Sequence, residues 1–86
     1  MTWSEVRRRF PDRSVLVEAT EARSEEGLRL LDQIAVLESF DDGGEAMKRY
    51  CALHRQSPHR ELYVLHTQSE DLEIEEIPWL GVRGIA

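Results

Sequence analysis

Cys51, His54, His59 and His66 are the residues whose types could act together in metal binding or thiol chemistry. Cys51 and His54 lie three apart in a stretch with helical character, so thiol and imidazole can point the same way. Zinc takes three or four such ligands at a recognisable spacing. Here the second half-site would need His59 from a loop and His66 from a strand, a spacing too loose to specify a metal. The plainer reading makes Cys51 a core residue, lets His54 cap or snorkel, and puts the other two histidines on the surface. A nucleophilic cysteine needs a lowered pKa, a neighbouring base and an open cleft. Cys51 is expected mid-helix on the apolar face, which favours an inert thiol. No catalytic residue, cofactor or metal is expected, and these four are the only metal candidates.

The remaining chemistry-bearing patterns have structural explanations. Asp41-Asp42 precedes a helix and serves as its cap, while Glu75 and Glu76 on a strand point to opposite faces. Gly43-Gly44 lacks the following Lys-Ser/Thr of a phosphate loop, and two aspartates before it repel an anion. Arg7-Arg8-Arg9 reads as a solvated helix face in a chain of net charge −6. That net charge argues against nucleic acid as a partner. The charge is uneven: residues 24–47 hold one base and seven acids, residues 48–60 hold Lys48, Arg49, Arg55 and Arg60 and no acid, and residues 61–86 hold one base and six acids. A basic centre between acidic flanks can pair internally or across an interface.

Eighty-six residues, 41% hydrophobic and 33% charged, make a single α+β domain over 1–86. One cysteine permits no intrachain disulfide, which fits a reducing cytoplasm. Residues 1–13 carry too many charges for a signal core, and no apolar run approaches the ~20 residues of a membrane helix.

Trp3, Val6 and Phe10 recur at near-helical spacing behind Thr2 or Ser4, which predicts a short helix over roughly 3–10, closed by Pro11. Residues 15–20 are rich in β-branched side chains and read as a strand. Ser24-Glu25-Glu26-Gly27 is a turn signal, with Gly27 free to take positive φ. Leu28 to Phe40 then forms the second arm of a hairpin, although Leu28, Leu31, Ile34 and Ala35 also make a helical stripe that leaves 28–33 open between strand and helix. Asp41 or Asp42 caps a helix from Glu45 to about Gln56, with Ala46, Met47, Tyr50, Cys51 and His54 on its apolar face, and Pro58 stops it. Glu61 to Thr67 is the clearest strand. Leu72 to Ile77 alternates as a polar-faced edge strand. After the short N-terminal helix the order is ββαββ: a mainly antiparallel four-stranded sheet packed on one main helix, with the helices on one side and a β-grasp among the arrangements that satisfy it.

The tail 78–86 carries Trp79, Leu80, Val82 and Ile85 where chain ends are normally polar. These side chains must close the core or dock on a neighbour. With Glu73 and Glu75 of the edge strand they form the candidate interaction set, and a homodimer sharing the tail or the sheet edge is expected.

The stretches VLVEA (15–19), SFDD (39–42), EAMKRYCALH (45–54), RELYVLHT (60–67), LEIEE (72–76) and WLGVRG (79–84) resemble a set of small bacterial proteins of unknown function. The resemblance implies a gene neighbour of the retropepsin-like aspartic protease kind and assigns no residue a role. The chain itself lacks the Asp-Thr/Ser-Gly triplet of such a protease. The sequence therefore points to a non-enzymatic cytoplasmic interaction or regulatory module. Its partner is another protein or a second copy, with no nucleic acid and no membrane. The alternatives are a metal or thiol site around Cys51 and His54, and an antitoxin-like or protease-companion role.

Overall fold

Residues 1–72, 74 and 75 are described by the computed structural model. Helix α1 spans Trp3–Arg9. Thr2 is its N-cap in a reciprocal box: the Glu5 N–H donates to Thr2 Oγ1, and the Thr2 N–H donates to Glu5 Oε1 at 2.9 Å. This second bond holds the Glu5 carboxyl below its usual range. Strands β1 (Ser14–Glu25) and β2 (Leu28–Phe40) form a long antiparallel hairpin. The open choice at 28–33 is thereby resolved as strand. Both central residues of its turn, Glu26 and Gly27, have positive φ, the type I′ pattern whose twist matches paired strands.

Asp42 caps helix α2, Gly43–Gln56, by accepting from the Gly44 N–H at 3.0 Å. Strand β3 is Leu62–His66. The expected four-stranded ββαββ sheet is met only in part. The sheet has three antiparallel strands of substance in the order β3-β1-β2, and Ile74–Glu75 (β4) adds only a two-residue rung opposite Arg29 and Leu28. The strand expected over 72–77 is otherwise outside the described residues. A β-grasp does not match either, since among the described residues every pairing is antiparallel and the first and last strands are not neighbours.

The helices do not share one side. Val15 and Val17 pack with Trp3 and Val6 of α1 and with Ile34, joined by Phe10, Leu31, Val36, Tyr63, Leu65 and Leu72. Leu16, between the two valines, is just as buried and faces the other way. On that second face α2 contacts all three strands, and a Cβ on Gly43 would lie 3.5 Å from Ser14 Oγ. The sheet is therefore the middle layer. Covering both faces explains why Val15, Leu16 and Val17 are all fully buried, a run typical of a strand enclosed on both sides.

Three register shifts interrupt the hairpin, leaving Thr20, Asp32 and Leu37 as unmatched residues. Bulges of this kind bend a strand and increase its twist. The outer part of the hairpin, beyond the stretch paired with β3, is curled back so that Arg29 reaches Glu61 at the start of β3.

Nothing lies within 4 Å of a Cβ built on Gly27, whose φ is +81°. Gly27→Ala should therefore destabilise through backbone strain alone, by about 1 kcal/mol. Denaturant unfolding should show an unchanged m-value with a lower midpoint.

Candidate functional site

The two edges of the sheet are treated differently. On the outer edge of β2, Ile34 exchanges bonds with Met1: its N–H donates to the Met1 carbonyl at 2.7 Å, and the Met1 ammonium donates to the Ile34 carbonyl at 2.8 Å. The β4 rung meets the same strand at Leu28 and Arg29. The outer edge of β3 has no such cover among the described residues.

Which groups β3 presents there follows from the ladder. The Ala19 N–H donates to the Glu61 carbonyl and the Thr67 N–H to the Arg13 carbonyl, both across the β1–β3 pairing. Antiparallel pairs alternate, so Tyr63 and Leu65 also bond to β1, while Leu62, Val64 and His66 turn their N–H and C=O outward. The His66 carbonyl is taken by the Ser69 N–H at 3.2 Å. The two polar groups each of Leu62 and Val64 have no partner among the described residues.

The residues beside this edge are mostly apolar, although the Tyr63 side chain itself turns to the α1 face. Met47 and Tyr50 of α2 and Leu62, Tyr63 and Val64 of β3 line an open groove of about 280 Å3. Met47 is 48% exposed in it. Helix α2 lies on the sheet through Ala46, Tyr50 and Leu53, a phase shifted from the expected apolar face. Its flank toward β3 carries Met47, Cys51 and His54, all exposed. The opposite flank carries Arg49, which pairs with Glu38 of β2 at 3.4 Å.

Two arginine–carboxylate pairs fix the start of β3, one on each face. Arg60 grips Glu18 through Nε at 3.2 Å and Nη2 at 2.7 Å. Arg29 grips Glu61 through Nε at 2.7 Å and Nη2 at 2.9 Å, and the Tyr63 hydroxyl donates to the same carboxylate at 2.7 Å. Paired planar groups of this geometry bond more strongly than a point-charge contact. The bond from Arg60 holds Glu18 below its ordinary range, and the bond from Arg29 does the same for Glu61. Burial, with help from Glu61, pushes the Tyr63 phenol up to about 12.

The sequence-derived candidates are not assembled. Cys51 is exposed, which corrects its expected core position: the helix turns Leu53 inward instead. His54 stacks on Tyr50 with ring centroids 5.6 Å apart. His66 Nδ1 accepts from the Gln68 N–H at 3.1 Å, and His59 is exposed in the turn before β3. No group of three His, Cys, Asp or Glu suited to a metal occurs among the described residues. Nor is any helix among them long and apolar enough to cross a membrane. Trp79, Leu80, Val82, Ile85 and Glu73 lie outside the described residues, and Glu75 enters only through its backbone pairing with Leu28. The β3 edge was missed because an edge is a property of strand order. Only the clear strand signal at 61–67 could have hinted at it.

Stability should fall at both ends of the pH range. Glu61 and Glu18 have depressed folded-state pKa values, so their contribution is complete above the unfolded value of about 4.5 and is lost as pH drops through the folded values. Tyr63 is raised, so its contribution is complete below about 10 and disappears as pH rises toward about 12. Chemical denaturation against pH should show both limbs, and Tyr63→Phe should flatten the alkaline one. Separately, the Cys51 thiol should react with a small aromatic disulfide in the native protein, one equivalent per chain, without denaturant.

Comparison with protein-family models, with curated proteins and with solved structures gave no match, so the functional reading stands on the geometry of this edge and groove.

Proposed function

We propose that this protein is a non-enzymatic interaction module that captures an extended segment of a partner protein by strand addition at β3. The observation that carries the reading is the outward backbone of Leu62 and Val64 beside an apolar groove. An added strand takes its affinity from main-chain hydrogen bonds and its selectivity from pockets that receive alternate side chains. Leu62 and Val64 supply the first, and the space between Met47, Tyr50 and Val64 supplies the second. The paired clamps at Glu18 and Glu61 support the same reading, because they hold β3 in place from both faces and spare a partner the cost of ordering it.

Amide exchange separates this reading from a merely short edge strand. In the free protein the Leu62 and Val64 amides should exchange quickly while Tyr63 and Leu65 stay protected. Peptides selected from a displayed random library should slow exchange at Leu62 and Val64. Val64→Pro removes an outward donor and no bond to β1, so it should keep the fold and lose at least tenfold in peptide affinity. Protection of both amides in the free monomer, or unchanged binding by the proline variant, would overturn the proposal.

A further inference from the structure

We infer that the segment captured at β3 is acidic, with apolar side chains at alternate positions; this extends the strand-addition reading above and depends on it. The ground is the balance of charge around the groove. Between residues 46 and 66 the only acid is Glu61, already held by Arg29 and Tyr63. Of the four bases in that stretch, Arg49 is paired with Glu38 and Arg60 with Glu18. Lys48 and Arg55 have no ion-pair partner among the described residues. They stand seven apart on the outward side of α2, beyond the Met47 flank that walls the groove. The helix side of the site therefore carries, beyond Glu45 in its first turn, two positive charges with no ion-pair partner among the described residues, in a chain whose net charge is −6. Complementary charge brings an acidic segment to this patch and keeps a basic one away.

The same charges disfavour a second copy as the occupant. Pairing β3 with its own symmetry mate would be antiparallel about an axis near Val64 and would set both α2 helices on one face of the joined sheet. That face would then carry Lys48 and Arg55 of both copies, which adds like charge where a partner of opposite charge would be drawn in.

Three hexapeptides test the inference, alternating leucine with glutamate, with threonine or with lysine. Exchange protection at Leu62 and Val64 and the dissociation constant are read at low and high salt. The leucine–glutamate peptide should bind at least tenfold more tightly than the leucine–lysine peptide at low salt, with the gap narrowing at high salt. The double variant Lys48→Glu, Arg55→Glu, which touches no core residue, should reverse the order. Equal protection by all three peptides would leave strand addition standing and overturn the acidic preference. Protection by none would overturn the strand-addition reading and the inference with it. Concentration-dependent protection without peptide, matched by a dimer in light scattering, would assign the edge to a second copy and overturn the acidic partner.

Discussion

Everything in this fold depends on β1 being enclosed on both faces and bonded along both sides. Val15, Leu16 and Val17 are each fully buried, and each belongs to a different surface from its neighbour. An exposed face on such a strand would leave about 1.5–3 kcal/mol per side chain unrealised, in a domain whose whole stability is of order 5–15 kcal/mol. Both faces must therefore be roofed. Helix α1 with the Trp3 indole covers one, and α2 covers the other. The indole N–H donates to the Ser69 carbonyl at 2.9 Å, so the first roof is also tied to the turn that follows β3.

This arrangement makes α2 a crossing element. It leaves β2, passes over β1 and delivers β3 to the far side, so β2 and β3 run parallel with β1 antiparallel between them. That path leaves β3 as an edge strand among the described residues. The groove follows from the same fact: α2 is seated through Ala46, Tyr50 and Leu53, and its Met47 flank overhangs the rim of the sheet.

Much of the local structure was legible in the sequence because it is written in adjacent residues. A cap at Thr2 or Ser4, a second at Asp41 or Asp42, a turn over Ser24–Gly27 and a strand over Glu61–Thr67 are each spelled by neighbouring residues, and the structure selects Thr2 and Asp42 as the caps. The failures concern which surface each element meets. The run Val15-Leu16-Val17 carried the information that β1 is covered twice, yet it was read as a strand with helices on one side. On α2 the residues Ala46, Met47, Tyr50, Cys51 and His54 make as good a stripe as Ala46, Tyr50 and Leu53. Only the sheet beneath decides between them, and it chose Leu53, putting Cys51 in solvent. The site was still less legible. Periodicity identifies a strand but says nothing of its neighbours, and the openness of β3 emerges only once β1 is seen to use its other side.

The curled hairpin and the two clamps have a consequence for the order of assembly. The β1–β2 hairpin closes through a two-residue turn, so its contacts are local and form quickly. The strand β3 meets its partners Ser14 to Glu18 across more than forty residues of chain, so its docking carries the larger loop-closure cost. Arg29–Glu61 and Glu18–Arg60 are the contacts that latch it there, from the hairpin arm and from β1 respectively. The strand whose outer edge is open among the described residues is thus the one held by the contacts most distant in sequence.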